Sequence, residues 1–225
     1  MRRFLFWCGF MCMGLGLCLL PFTEKTQPVF APSERLIWVE LDRMRLTVYE
    51  SGREILRFPI AAGALDSPTP VGIFHINRRY QTELSGFGAR FMGLNAAFGD
   101  YGIHGTNRPS SIGGHFSHGC IRMYIRDAET LYDKTAWGTK VVIDGGPYGP
   151  YTNGLRSLSP GDRGSDVMEM QKRLINHGFL QGWPDGIFGE NTKKAVIAAR
   201  QYFRLPPSDR ADLALLTALG IMQFE

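Results

Sequence analysis

The hydrophobic pattern of this chain changes period once, at Gly145-Gly146-Pro147-Tyr148-Gly149-Pro150. Glycine and proline fill five of those six positions, and such a run continues neither a strand nor a helix. Upstream, Ile37, Val39 and Leu41 alternate with Trp38, Glu40 and Asp42, and Leu46, Val48 and residues 55–60 extend the pattern. Period two marks half-buried strands. With turn signals at Asp42-Arg43 and Ser51-Gly52, residues 36–63 predict an antiparallel meander. Ser67-Pro68-Thr69-Pro70-Val71-Gly72 reads as a loop and residues 73–77 as a further strand. Residues 80–102 hold glycines and aromatics (Tyr80, Phe87, Phe91, Phe98, Tyr101) without a period, which predicts long loops over the sheet. Residues 126–134 have helical character, and Val141-Val142-Ile143 reads as a closing buried strand. From Ser159 the spacing turns helical. Val167, Met170 and Leu174 share one face of a helix opened by Asp166 and ended by Gly178. Asp185-Gly186 makes a tight turn, and helices follow over about 191–204 and 209–219.

Residues 1–22 carry Arg2 and Arg3 and then no charge from position 4 to 20. This fits a signal peptide or a membrane anchor, at the short end of the roughly 17–25 residues that span a bilayer. Residues 23–34 read as a tether, 35–144 as a β domain, 145–158 as a linker and 159–221 as a small three-helix α domain. The expected location is outside the cytoplasm, in the periplasm or on the cell-wall side. Cleavage of the leader and anchoring to the inner membrane are alternatives. A formal net charge of +4 with no dense Lys/Arg block argues against a nucleic-acid partner. Membrane contact is expected only through the N-terminal segment.

Cys8, Cys12 and Cys18 all lie in that leader, leaving Cys120 as the one cysteine beyond it. Exported proteins usually pair their cysteines or lack them. A lone thiol in Ser117-His118-Gly119-Cys120-Ile121-Arg122-Met123, with His104-Gly105-Thr106 upstream, reads as a nucleophile. His104 and His118 are the candidate bases. His118 shares a face with Cys120 if the segment is extended, but is held close by the chain. His104 approaches from its own segment and is favoured. Backbone N–H groups at Gly119 and Cys120 are candidate oxyanion donors, and Arg122 suits a substrate carboxylate. Three imidazoles (His104, His115, His118) and a thiolate also make a plausible zinc set, disfavoured because a ligating thiolate loses nucleophilicity. His75 and His177 read as structural.

His104-Gly105-Thr106-Asn107 followed by the Ser117–Met123 segment resembles the signature of the L,D-transpeptidase catalytic domain. The segment from Ser67 to Phe74 resembles that family's upstream stretch. The resemblance implies an L,D-transpeptidase-like β-sandwich, a cysteine acyl-enzyme and a peptidoglycan stem peptide as acyl donor. It places the nucleophile on Cys120, the base on His104, a second histidine on His118, and the carbonyl that orients the base on Gly105. Arg122, Ser117 and Gly119 fall on substrate-binding positions. No metal or cofactor is implied. Gly164-Ser165-Asp166-Val167, Gln171, Leu174, Gly178-Phe179, residues 185–189, Thr192 and Ala195-Val196 resemble a helical peptidoglycan-binding module. After Leu205, where a second Asp-Gly turn is usual, this chain instead has Pro206-Pro207-Ser208-Asp209. The expected activity is cross-linking of stem peptides or attachment of protein to them, with stem peptides and glycan as partners. The alternatives are an L,D-carboxypeptidase or hydrolase, and a catalytically silent wall-binding protein. The linker predicts a module that acts by local concentration, outside the chemistry.

Overall fold

The computed structural model describes residues 35–81, 88–145, 149, 151 and 154–221. The leader with its three cysteines, the tether, Phe87 and much of the linker lie outside the described residues. The chain from Ser33 to Glu225 forms one compact unit.

Ten strands and four α-helices are described. β1 (Arg35–Glu40), β2 (Arg45–Glu50) and β3 (Arg53–Pro59) form the expected antiparallel meander. Ser51 and Gly52 both take positive φ (51° and 78°) between β2 and β3, the conformation that matches a two-residue hairpin turn to strand twist. β4 (Ala62–Gly63) is short, and β5 (Gly72–Tyr80) is longer than the sequence pattern indicated. β6 (Phe91–Leu94) arises inside the region expected to be loops. It pairs with β5 and with β7 (Gly102–Thr106). Its aromatic and glycine residues carry no alternation because the neighbouring strands, not its own pattern, hold it in the sheet. β8 (His115–Ser117), β9 (Ile121–Tyr124), α1 (Ile125–Lys134) and β10 (Lys140–Asp144) complete the β region.

The large sheet runs β3-β2-β1-β10-β5-β6-β7-β9, with β4 and β8 as a separate parallel pair. β10 is therefore an interior strand, parallel to β1 and antiparallel to β5. The sheet comes close to closing on itself. Ala61, just past β3, exchanges both backbone hydrogen bonds with Arg122 of β9, each at 2.9 Å. Ile37, Val39, Leu46, Ile76, Ile103, Ile121 and Ile143 fill the enclosed core.

In the helical region, α2 (Ser165–Asn176) and α3 (Glu190–Tyr202) follow the predicted spans within a few residues. α4 (Leu213–Ala218) is shorter than expected, because Asp212 caps it by accepting the Leu215 N–H at 3.0 Å. Val167, Met170 and Leu174 pack in a second core with Phe188, Val196 and Leu216. Met168, beside them on α2, packs instead into the core of the β region. The atypical stretch after Leu205 is held by buried Arg200, which donates to the Pro206 and Arg210 carbonyls and pairs with Asp212 at 2.9 Å. Among the described residues no helix is long and apolar enough to cross a membrane.

Candidate active site

β7 is buried along its whole length and runs parallel to β9, with His104 opposite Arg122 and Ile103 opposite Ile121. Alternation sends Ile103, Ile121 and Met123 into the core, so His104 and Arg122 belong to the other face. Cys120 stands just before β9. A sharp turn delivers it. Gly119 has φ +101°, and a Cβ there would sit 2.5 Å from the Tyr101 ring. Glycine is thus required both for the backbone conformation and for the space. The buried Ser117 hydroxyl donates to the Cys120 carbonyl and accepts the Gly119 N–H at 3.1 Å. Ser117 therefore braces the turn. The Gly119 N–H expected to serve an oxyanion is already engaged.

His104 is 2 % exposed. Its Nδ1 lies 2.6 Å from the Gly105 carbonyl oxygen. A carbonyl only accepts, so Nδ1 carries the proton, and in the neutral ring Nε2 holds the lone pair. Phe91 stacks on the imidazole with ring centroids 6.1 Å apart, and Tyr80 stacks on Phe91. The base candidate is thus fixed in tautomer and in plane.

The Cys120 thiol is pushed above its ordinary pKa, first by burial and then by Asp100. The Gly102 backbone N–H, Arg122 and Arg78 act the other way, in that order. Asp100 accepts from Arg78 at 3.0 Å. The Nε atoms of Arg78 and Arg122 are buried without a hydrogen-bond partner among the described residues. The structure thus brings Cys120 and Arg122 together with Tyr101, Gly102, Asp100 and Arg78, none of which the motifs indicated. Gly102 and Tyr101 sit two and three positions before His104, a proximity the sequence offered as a hint. Arg78 comes from β5, and only the register of the sheet reveals it.

His118 is exposed. His115 is placed elsewhere, with Nδ1 2.9 Å from the Gly63 carbonyl where β4 meets β8. Among the described residues no three His, Cys, Asp or Glu side chains converge as a metal site would need. Cys120 is the free cysteine of the described chain.

Residues 34–143 match the family model of the L,D-transpeptidase catalytic domain, and residues 163–219 match the "Putative peptidoglycan binding domain". Residues 34–143 make up a little under half of the chain, and over them it is similar to the L,D-transpeptidase family. It is 43 % identical over 107 residues to the "Putative L,D-transpeptidase YkuD" of Bacillus licheniformis, a match covering 48 % of this chain and 64 % of that protein. The protein of the same name from Bacillus subtilis is 39 % identical over 108 residues, covering 48 % and 65 %. The chain thus spans a little under two thirds of the length of these relatives. An L,D-transpeptidase from Mycobacterium tuberculosis of known structure is similar at 21 % identity and a TM-score of 0.44, over 50 % of this chain and 58 % of that one. The two matched descriptions, a transpeptidase catalytic domain and a putative peptidoglycan binding domain, both point to the cell wall and so to an extracytoplasmic location.

Proposed function

We propose that this chain is a cell-wall L,D-transpeptidase in which Cys120 is the nucleophile and His104 the base. The observation that carries the reading is the imidazole fixed by its Nδ1–H on the Gly105 carbonyl, on the face that β7 and β9 share with Arg122. Burial pushes the thiol pKa up and so disfavours the thiolate, which is why the scheme assigns a base to take the proton. His104 Nε2 takes the thiol proton. The sulfur attacks the carbonyl carbon joining the third residue of a stem tetrapeptide to its terminal D-Ala. The C–N bond breaks, and the D-Ala amine leaves with the proton from His104. An acceptor amine then attacks the thioester, gives its proton to His104 and releases the sulfur. The Cys120 N–H is the main-chain donor that remains at the turn for the oxyanion, while Arg78 and Arg122 supply positive charge beside the sulfur. His118, exposed on the rim, is a secondary residue in this scheme. Stem peptide is the acyl donor, and the helical module contacts peptidoglycan. Residues 1–22 direct export and leave the enzyme either released or anchored at the inner membrane.

Incubation with purified disaccharide-tetrapeptide, followed by mass spectrometry, tests this. Cross-linked dimer with loss of one D-Ala is expected. Tripeptide alone identifies water as the acceptor and a carboxypeptidase. Unchanged substrate and no acyl adduct on Cys120 would identify a silent wall-binding protein.

A further inference from the structure

Beside the turn that presents Cys120 lies a cleft of about 470 Å³, walled on one side by residues 65–71, Phe98 and Tyr101 and on the other by the linker and the helical module. Tyr101 and Pro68 form its near end. Both lie against Gly119, since a Cβ there would meet the Tyr101 ring at 2.5 Å and the Pro68 carbonyl oxygen at 3.2 Å. Electrostatic coupling to Cys120, after burial, is a cause of the raised Tyr101 pKa, so the tyrosine touches reaction site and cleft together. The two walls are fastened to each other. The Val71 N–H donates to the Ser165 hydroxyl at 2.8 Å, and Gly186 lies so close to Phe98 that a Cβ would meet its ring at 2.4 Å.

The chemistry of the far wall is specific. Arg156 and Asp166 neutralise each other at 2.8 Å. Arg163 is exposed on the same wall, and its guanidinium has no ion pair among the described residues. Tyr151 also lines the cleft, but its hydroxyl is buried away from it, with no hydrogen-bond partner among the described residues. Arg163 has no ion pair among the described residues, and the exposed Asp66 lines the same cleft, so the cleft suits a ligand that brings its own charged groups, a carboxylate for Arg163 among them. An uncharged sugar chain gives the cation nothing to pair with.

We propose that this cleft is a subsite for the donor peptide upstream of its scissile carbonyl, with Arg163 pairing with a peptide carboxylate. The helical module then completes the substrate groove, in place of the purely local-concentration role its linker suggested. The inference rests on the transpeptidase reading only for the identity of the peptide.

The test uses the full chain with Cys120→Ala, so that no acyl-enzyme forms, and measures binding of a soluble stem tetrapeptide by titration calorimetry. Arg163→Glu should weaken binding about tenfold or more, as loss of a charge pair does. Arg163→Lys should restore most of it. A tetrapeptide amidated at the carboxylates upstream of the scissile bond should bind weakly and be indifferent to Arg163→Glu. This peptide arm needs no variant, so it holds even if a substituted chain misfolds. Equal affinity for the amidated peptide, no response to the substitutions, no tetrapeptide binding at all, or a preference for an N-acetylglucosamine oligomer each overturns the subsite. If the peptide binds with the expected dependence on Arg163 while the chain retaining Cys120 turns over no tetrapeptide, the subsite stands and the transpeptidase reading fails.

Discussion

At the scale of single residues, reactivity is set by competition around one sulfur. Burial disfavours the Cys120 thiolate, while the Gly102 N–H, Arg122 and Arg78 favour the anion and Asp100 opposes it. The sign of each effect predicts opposite shifts from two substitutions. Removing the cation in Arg122→Gln should move the pH midpoint of Cys120 alkylation upward, and removing the anion in Asp100→Asn should move it downward. Iodoacetamide kinetics across pH 6 to 11 measure both, and shifts of the same sign would discard this electrostatic account. Cys120→Ala should lower turnover by roughly 10³-fold or more. His104→Ala should cost about 10²- to 10⁴-fold in single-turnover acylation, and His118→Ala much less, because His118 is exposed. The reverse order would exchange their roles. The candidate cysteine and histidines stood out in the sequence because cysteine and histidine are rare in this chain and fall in dense motifs. Asp100, Gly102 and Arg78 were not, since aspartate, glycine and arginine occur everywhere and only strand pairing brings these three to the sulfur.

At the scale of elements, period predicted most strands and helices, and failed where an element is specified from outside itself. β6 is an example: its four residues, Phe91–Leu94, include a glycine, and its pairing with β5 and β7 makes it a strand. The turn after α2 is the opposite case, a short motif whose purpose appears only in three dimensions. Gln171 is 2 % exposed. Its two amide hydrogens are shared among Asp185 Oδ1 (2.8 Å), the Ile187 carbonyl (3.0 Å) and Thr192 Oγ1 (3.0 Å), and its oxygen accepts the Gly186 N–H at 2.7 Å. One side chain thereby locks α2, the Asp-Gly turn and the start of α3. Gln171→Leu fills similar space but strands those partners, and an unsatisfied buried group costs about 1–3 kcal/mol. Urea unfolding should show a loss of that size or more. A loss below about 0.5 kcal/mol would mean that water replaces the amide and the lock is dispensable.

At the scale of the whole molecule, the Gly/Pro run separates two patterns without separating two bodies. Each region has its own core, yet α2 serves both, sending Val167 one way and Met168 the other. Met168 reaches the β core against Gly72, where a Cβ would meet its Cε at 2.7 Å, and Gly186 seats the Asp-Gly turn on Phe98. A sequence reading sees one apolar face on α2 because a single methionine off that face looks like surface variation. Met168 marks the second face, and it carries a consequence for truncation. A chain ending at Gly154 loses Met168 from the β core and uncovers Phe98 beside Phe74, whose rings are 6.5 Å apart. Burial of one such side chain is worth about 1.5–3 kcal/mol, so the truncated chain should unfold several degrees lower than the full chain in calorimetry. A finer probe leaves the module in place. Gly186 has φ +74° and no room for a side chain, so Gly186→Ala should lift the turn from Phe98 and widen the cleft between the two regions. Its expected signature is a loss of soluble-peptide affinity with iodoacetamide reactivity of Cys120 preserved. Truncated and full-length chains that melt together would instead make the two regions thermodynamically independent, leaving the helical module only the task of holding the enzyme near its wall.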